Sequence, residues 1–176
     1  MCRGSVKDQK LSSHMKKMNL VRKAIVAVRF LRVRLRSIFY YLLINAAGGE
    51  CGRRLKVDGP VTIVGDIAKL RIGSDVSLNH GVLLNCRDVI ELGDQVTISA
   101  GAQLQTAFLT GERMDHHSAK PIKIGQGSWI AAGVVVSAGA IVCENVVVGA
   151  MSLVRGELSS NALYAGVPAK KIREFS

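Results

Sequence analysis

The sequence is poor in aromatic residues, and this shortage restricts the fold classes that the chain can adopt. Aromatic residues make up 5% of the 176 residues, whereas 48% are hydrophobic and 18 are glycines. A core must therefore be built from small and branched aliphatic side chains, which suits stacked strands better than a helical bundle with aromatic anchors. Charged residues are only 21% of the chain, so wholesale disorder is excluded. A chain of this length is expected to form one domain and is too short for two ordinary ones.

The cysteines show neither a CxxC motif nor a dense framework, and they are Cys2, Cys51, Cys86 and Cys143. We therefore expect reduced thiols in a cytoplasmic protein. A secretory signal is not predicted, because the apolar stretch near the N-terminus comes late and carries several arginines.

Acidic residues are nearly absent from the first part of the chain. Residues 1–48 contain 11 Lys and Arg but only one acid, Asp8, whereas residues 49–176 contain 13 Lys and Arg and 12 acids. The net charge of +11 thus belongs to a basic N-terminal arm (1–48), and the body (49–176) is nearly neutral. The arm lacks polar base-reading side chains and the body lacks a basic patch, so nucleic acid is not an expected partner.

The arm predicts a basic amphipathic helix. Residues 1–15 are polar and are expected to be flexible, with Met15 as an alternative start of the native chain. From Lys16 to about Ala47, apolar residues recur at steps of three and four along one stripe. The stripe consists of Leu20, Ala24, Ala27, Leu31, Leu35, Ile38 and Leu42.

Four arginines interrupt the apolar run of this helix, and they are Arg29, Arg32, Arg34 and Arg36. A bilayer span needs roughly 20 apolar residues, so a span is not predicted. We expect the helix to lie in the headgroup layer, which places the protein peripherally at the inner face of the membrane. The alternative is a helix packed on its own body or on a neighbouring subunit.

A six-residue repeat runs through the body. Twelve aliphatic residues keep this step, with a slip of two residues near Asp88–Ile90; they are Ile72, Leu78, Leu84, Leu92, Ile98, Leu104, Ile124, Ile130, Val136, Val142, Val148 and Val154. Neither a helix nor a flat strand has this period, but a chain that turns a corner every six residues does. Six is the period of hexapeptide β-helices, whose coils bury their aliphatic residues against neighbouring coils. The repeats predict about four coils within 72–159, after an irregular first coil at 51–71.

The body resembles the hexapeptide-repeat acyltransferases over about residues 52–174. The resemblance depends on the repeats, the break at 106–120, the stretch KPIKIGQGSWIAAG at 120–133 and the closing YAGVPAKKIRE at 164–174. It implies a mainly β fold, a left-handed parallel β-helix, with the N-terminal helix and a short C-terminal helix. It also implies a homotrimer and, among subgroups, the O-acetyltransferases of sugars, capsules and exopolysaccharides. A gap-free match to sugar acetyltransferases runs from Trp129 to Arg173, although Trp129 itself is expected to pack at a coil corner.

The resemblance implies acetyl transfer from acetyl-CoA to a sugar or lipid-linked glycan hydroxyl, with a histidine as the general base. The family pattern Thr-x-x-His meets Thr106-Ala107-Phe108-Leu109 here, so Leu109 stands where that histidine would be. Either His117 or His116, in the interrupting loop, substitutes for it, or the chain has lost catalysis. Of the two, His117 is preferred.

The other two histidines are set aside, since His14 lies in the arm and His80 near a coil corner. Asp115 and Glu112 are candidates to orient the imidazole, and Asp115 is also assigned to the substrate site with Asn85.

Acetyl-CoA is expected in a groove between adjacent subunits. By resemblance, the backbones of Ala132 and Ala150 contact the pantetheine arm, and Arg155, Lys170 and Arg173 reach the phosphates. No metal is expected.

Two other functions stay open. A hydratase of the γ-carbonic-anhydrase type needs three histidines around zinc, and adjacent histidines on a strand point in opposite directions. A non-catalytic β-helix scaffold would have kept the helix and lost its base.

Overall fold

The computed structural model describes the backbone of residues 6–111 and 116–175, and the side chains of Met18, 21–111 and 116–175. Helix α1 (Val6–Ala46) comes first, so it begins about ten residues earlier than the sequence predicts, and it includes most of the segment expected to be flexible. His14 and Leu20 lie in α1, but their side chains are outside the described residues. Within the described part of the chain, no helix is long and apolar enough to cross a membrane.

Three sheets of short, mostly parallel strands form the body. Sheet A contains β1 (Glu50–Cys51), β4 (Leu70–Ile72), β7 (Ile90–Leu92), β12 (Ile122–Ile124), β15 (Ile141–Val142) and β18 (Glu157–Leu158). Sheet B contains β2 (Lys56–Val57), β5 (Ser77–Leu78), β8 (Thr97–Ile98), β13 (Trp129–Ile130), β16 (Val146–Val148), β19 (Ala162–Ala165) and β20 (Lys170–Glu174). Sheet C contains β3 (Thr62–Gly65), β6 (Leu83–Cys86), β9 (Gln103–Gln105), β14 (Val135–Ser137) and β17 (Leu153–Val154).

The chain passes from sheet A to B to C and back to A, which winds it into a three-sided prism that fits a left-handed parallel β-helix. There are about six turns: the four predicted within 72–159, the first turn before them, and a last turn formed by β18 and β19. The first turn, β1 to β3, pairs in regular parallel register with the second, so it is not irregular as predicted. A count in steps of six residues does not continue into this turn, because the short 3-10 helix Ile67–Lys69 lengthens its last corner.

The interior confirms the repeat, since all twelve aliphatic residues that keep the six-residue step are at most 3% exposed. Each strand turns one or two residues inward, and successive coils stack these residues in register, as Leu92 on Ile124 and Leu104 on Val136. Burial is thus shared between neighbouring coils rather than within one, which is the reason that several coils are needed for stability.

Helix α1 covers the open end of the first coil. The hydroxyl of Tyr40 donates to the carbonyl of Val61 at 2.8 Å and accepts from the amide of the same residue. The hydroxyl of Ser37 accepts from the amide of Val57 at 2.9 Å, and Ile44 is fully buried in the core. An uncovered coil would leave these strand groups unpaired, so the helix protects an edge that would otherwise invite pairing.

The other end of the prism is closed by a strand and not by the predicted C-terminal helix. Strand β20 turns back and pairs antiparallel with β19, and the amide of Ala169 donates to the carbonyl of Leu153. Lys170–Glu174 extends because pairing satisfies the free edge of β19, which a helix would leave open. All five β20 residues are exposed, and its lysines protect the new edge.

The interruption at 106–120 forms an antiparallel hairpin between the third and fourth coils. Its strands are β10 (Ala107–Thr110) and β11 (His116–Ala119). The amide of Lys120 donates to the carbonyl of Thr106 at 2.9 Å, which closes the base of the hairpin and returns the chain to sheet A.

Candidate functional site

Ala132 and Ala150 lie on the same corner of the prism, between sheets B and C. We call this corner the B–C edge; it carries His80, Ala100, Ala132 and Ala150 in successive coils. Backbone bonds join the coils there, from the amide of Gly101 to the carbonyl of His80, from Gly133 to Ala100, and from Met151 to Ala132. The sequence therefore places two predicted cofactor-binding residues side by side, on an exposed ridge of small side chains.

Space for added atoms varies along the B–C edge, since a Cβ atom at Gly101 would meet nothing within 4 Å. A Cβ atom at Gly133 would lie 2.4 Å from the Sδ atom of Met151, and one at Gly149 would lie 3.0 Å from the Cβ atom of Ala165. Gly133 and Met151 both have positive φ angles of 66° and 58°, because the chain turns sharply there. The exposed, small side chains of Ala132 and Ala150 leave room for a long, narrow ligand to approach this edge.

The corner between sheets C and A, the C–A edge, carries the hairpin and its histidines. His117 is the direct partner of Leu109, and His116 is the partner of Thr110. Directly opposite residues of an antiparallel pair project to the same face, and neighbours along a strand project to opposite faces. His117 therefore shares a face with Leu109, while His116 lies on the other face with Thr110.

Both hairpin histidines are exposed, as a group that must reach a substrate should be. The hydroxyl of Thr110 donates to the carbonyl of His116 and lies 3.2 Å from the hydroxyl of Ser118, which ties the two strands together. Lys120 places its Nζ atom 5.6 Å from the ring centroid of Phe108 at the hairpin base. Glu112 and Asp115 lie outside the described residues.

Asn85 lies next to the base of the hairpin, on the outer surface of sheet C. Its Nδ2 atom donates to Oε1 of Gln105 at 3.0 Å, and Gln105 in turn donates to Gln103 at 3.2 Å. The Oδ1 atom of Asn85 is buried and has no hydrogen-bond partner among the described residues. Leaving such an acceptor unpaired costs about 1–3 kcal/mol, which makes Asn85 an unusual residue of this surface.

The three predicted phosphate ligands do not lie together. Lys170 pairs with Ala165, which continues the B–C edge one coil beyond Ala150. Arg173 pairs with Leu163 on the outer face of sheet B, and its Cζ atom lies 5.5 Å from the ring centroid of Phe175. Arg155 follows β17 and lies on the C–A edge, the side of the hairpin.

The site groups of one chain thus separate into two sets at opposite ends of the sheet C strands. These strands contain two to four residues, so the two edges are roughly 10 Å or more apart. The hairpin histidines, Asn85 and Arg155 belong to the C–A side, and Ala132, Ala150 and Lys170 to the B–C side.

Two of the cysteines, Cys51 and Cys86, do not offer a reactive thiolate. Burial raises the pKa of Cys86 to about 12 and that of Cys51 to about 11, so both thiols stay protonated near neutral pH. A covalent acyl-cysteine intermediate at either residue is therefore unfavourable, and a direct transfer fits the site better.

The closing strand carries one internal ion pair. Lys171 donates to Glu174 at 2.7 Å, which raises the pKa of Lys171 and lowers that of Glu174. This pairing engages Lys171, whereas Lys170 makes no ion pair with any residue that the structure describes.

Of the remaining sequence predictions, one is confirmed and one is wrong. His80 is exposed at a corner, as predicted. Trp129 does not pack at a corner; it lies on the outer face of strand β13, is 49% exposed and donates to the hydroxyl of Ser99 at 2.8 Å. In the described ranges, no three His, Cys, Asp or Glu residues gather closely enough to hold a metal ion.

Sequence reasoning missed the amide ladder of Gln103 and Gln105 beside Asn85, and the contact of Lys120 with Phe108. The step between Asn85 and Gln105 is one coil of 20 residues, which a count of hexapeptides from Leu84 to Leu104 would have found.

Comparison with known proteins supports the same architecture. The family model described as bacterial transferase hexapeptide (six repeats) matches residues 121–156. A hexapeptide-repeat-containing acetyltransferase from Vibrio cholerae O1 biovar eltor, solved in complex with acetyl coenzyme A, is 26% identical with a TM-score of 0.74; the match covers 87% of this chain and 90% of that one.

Two curated relatives come from Escherichia coli (strain K12). The putative colanic acid biosynthesis acetyltransferase WcaF is 31% identical over 138 residues, which are 75% of this chain and 72% of that protein. The galactoside O-acetyltransferase is 30% identical over 116 residues, or 62% of this chain, and the chain spans only about half of that enzyme (56%). The similarity to WcaF extends through most of both chains. This chain therefore belongs to the hexapeptide-repeat acetyltransferase family.

Proposed function

We propose that this protein is an acetyl-CoA-dependent O-acetyltransferase that modifies a sugar hydroxyl of a glycan or glycan precursor, with residues 1–48 as an arm and 49–176 as the catalytic domain. The observation that carries the proposal is the position of His117 directly across the hairpin from Leu109. A relative named for colanic acid biosynthesis, another named for galactosides, and a similar structure with acetyl coenzyme A bound support the acceptor and donor classes.

His117 is the proposed general base. Its neutral imidazole takes the proton of the acceptor hydroxyl while the hydroxyl oxygen attacks the thioester carbonyl carbon of acetyl-CoA. The tetrahedral oxyanion then collapses, the carbon–sulfur bond breaks, and the leaving thiolate takes the proton back from the imidazolium. The products are the O-acetyl sugar and CoA, and exposed backbone amides are available to hold the oxyanion.

The active site is proposed to form between subunits of a homotrimer. Within one chain, sheet C separates the hairpin on the C–A edge from the alanine ridge on the B–C edge. When three prisms turn sheet C toward a common threefold axis, the C–A edge of one lies beside the B–C edge of the next. His117 of one subunit then meets acetyl-CoA held along Ala132 and Ala150 of its neighbour.

The same arrangement gives a role to each of the three predicted phosphate ligands. Lys170 continues the alanine ridge and is proposed to meet the phosphates of the CoA bound there, with Arg173 on the adjoining face. Arg155 shares the hairpin edge and would approach the same phosphates from the neighbouring subunit.

The acceptor is proposed to lie beside Asn85, whose side chain is on the outer surface of sheet C next to the base of the hairpin and is linked to Gln105. Asp115, which lies between the two hairpin strands in the sequence, remains a proposed contact to the acceptor. We also propose that the arm holds the enzyme peripherally at the inner face of the membrane, through the helix that carries most of the net charge.

Substitution of His117 tests the mechanism most directly. His117→Ala should lower kcat by about 10²–10⁴-fold, because removing a general base has that effect. Adding Leu109→His to this variant should recover much of the loss, since residues 109 and 117 share one face. The readout is CoA release from acetyl-CoA with glycan precursors as acceptors.

His116→Ala is the matched control, because it removes the neighbouring imidazole from the opposite face; we expect a loss of less than about tenfold. Circular dichroism confirms that each variant is folded. Equal losses for His116→Ala and His117→Ala, or no recovery by Leu109→His, would argue against His117 as the base.

A non-catalytic scaffold is the second candidate, and the leucine at position 109 is the observation that favours it. It predicts that neither histidine substitution changes any thioester turnover, because the folded wild-type protein would have none above background.

A further inference from the structure

The apolar stripe of α1 faces away from the body. The side chains that pack on the first coil or reach its core are Val33, Ser37, Tyr40 and Ile44, which follow one another at steps of three and four. At about 100° per residue, the stripe predicted from the sequence falls on the opposite side of the helix. Its described leucine and isoleucine side chains are strongly exposed: Leu31 57%, Leu35 58%, Ile38 48% and Leu42 58%.

Cations lie along both borders of this stripe. Arg32 and Arg34 are exposed and project to its two sides, and Lys23 lies on the side of Arg34. Val28 and Phe39 widen the apolar surface on the side of Arg32, at 49% and 60% exposure. An apolar strip between two cationic borders complements an anionic lipid surface, in which acyl chains meet the strip and phosphates meet the arginines.

The helix lies across one end of the prism. It packs against β1, β2 and the 3-10 helix of the first coil, and Arg29 lies 3.6 Å from Asp58 of the same coil. The stripe opposite the body therefore faces outward along the prism axis. In a trimer of parallel prisms, three such stripes lie at the same end and face the same way.

We infer that three coplanar α1 helices dock the trimer upright on an anionic phospholipid surface, with the first coil next to the membrane. Three stripes act together, so binding is stronger than that of one helix by multivalency. This inference rests on the proposed function for its choice of acceptor, but the docking itself does not require catalysis.

The upright position also selects the acceptor class. The hairpin leaves the prism between the third and fourth coils, and coils are about 4.8 Å apart, so His117 lies roughly 20 Å from the stripe once the helix thickness is added. An acceptor held at the membrane meets His117 only when its glycan extends to that height, whereas a free nucleotide sugar gains nothing from docking. The inferred acceptor is therefore a lipid-anchored glycan long enough to reach the hairpin.

Sedimentation with vesicles tests the docking. The full chain should bind phosphatidylglycerol–phosphatidylcholine vesicles, and binding to pure phosphatidylcholine should be at least tenfold weaker. Leu35→Glu with Leu42→Glu should abolish sedimentation without changing the trimer mass. The matched control is Ile141→Glu with Ser160→Glu, which adds the same charge at exposed positions of the body outside both edges of the proposed site and should bind as wild type.

Three outcomes would overturn the docking inference. Wild-type protein could fail to sediment with anionic vesicles. The Leu35 and Leu42 substitutions could dissociate the trimer, which would show that a neighbouring subunit covers the stripe. Arg32→Gln with Arg34→Gln could abolish binding while the leucine substitutions leave it intact, which would indicate a general polyanion site.

Activity is measured separately. His117→Ala should sediment with vesicles as wild type but lose acetylation, so loss of activity and loss of docking are distinguishable. With lipid-anchored acceptor in the same vesicles, Leu35→Glu with Leu42→Glu should lower the rate at least tenfold, and the body control should not. Equal rates for the two variants would remove the assignment of the acceptor.

Discussion

Sheets A and C share one interior but present contrasting outer surfaces. Outward residues on sheet A are mostly charged and alternate in sign over the first four coils; they are Glu50, Arg71, Glu91, Lys123, Ile141 and Glu157. Outward residues on sheet C are all uncharged; they are Thr62, Val64, Leu83, Asn85, Gln103, Gln105, Val135, Ser137 and Leu153. The inward residues determine the coil in both sheets. Only the outward residues distinguish a surface suited to solvent from a surface suited to a partner.

The uncharged face is also the one that separates the two halves of the proposed active site. Interface cores are depleted in charge, whereas an alternating ladder of exposed ion pairs is stable in water and gains nothing from being covered. The contrast therefore supports the proposed placement of sheet C at a threefold interface with sheet A in solvent, and it can be tested at single positions.

The largest effect is expected from a charge on sheet C. Leu83→Arg places three guanidinium groups near one another in the trimer, and such like-charge contacts cost several kcal/mol. We expect monomers by light scattering after size exclusion, and loss of nearly all acetyltransferase activity, because each site needs two chains.

Ile141→Arg makes the same chemical change on sheet A, where the side chain is 41% exposed, and should leave the trimer intact. Val135→Arg, one more outward position of sheet C, checks that the effect belongs to the face and not to Leu83 alone. Dissociation by Ile141→Arg, with Leu83→Arg still trimeric, would reverse the assignment of the two faces.

Mixed trimers test the shared site more finely. A His117→Ala chain keeps its alanine ridge, and an Ala132→Trp chain keeps its hairpin, so each should be inactive alone. After denaturation and refolding together, every mixed trimer contains one intact site, and random mixing should restore about one quarter of the wild-type activity. Mixing without refolding is the control. No recovery from mixed trimers, once mass analysis shows that they have formed, would place the hairpin and ridge of one chain in the same site.

The contrast also shows what sequence alone could provide. The interior was predictable, since a side chain that must point inward every six residues leaves a periodic trace, and all twelve such residues are buried. The first coil was predicted only as an irregular one because its last corner is lengthened by Ile67–Lys69, and the predicted C-terminal helix was wrong because the pairing of β20 with β19 is a tertiary contact.

Helix α1 shows what periodicity in the sequence cannot predict. Both of its faces contain apolar residues, so periodicity reveals a stripe but not which face packs on the body. Burial of Ile44 and the hydrogen bonds of Tyr40 and Ser37 decide this, and they depend on the first coil. The pairing of His117 with Leu109 likewise depends on hairpin register, which no hexapeptide count contains. The roles of the site residues remain predictions.

The smallest effect is expected from the charge ladder of sheet A. Lys123 and Glu91 lie 3.2 Å apart with 57% and 44% of their side chains exposed, so water and salt screen the pair. A double-mutant cycle with Lys123→Gln and Glu91→Gln should give a coupling of about 0.2–1 kcal/mol in urea unfolding at constant protein concentration. The coupling should fall toward zero in 1 M salt, and neither substitution should alter the trimer mass.

A coupling of several kcal/mol that resists salt would mean that the ladder is desolvated in the assembly, because only a pair removed from water escapes screening. Sheet A would then be an interface as well, and the contrast between the two faces would no longer separate solvent from partner.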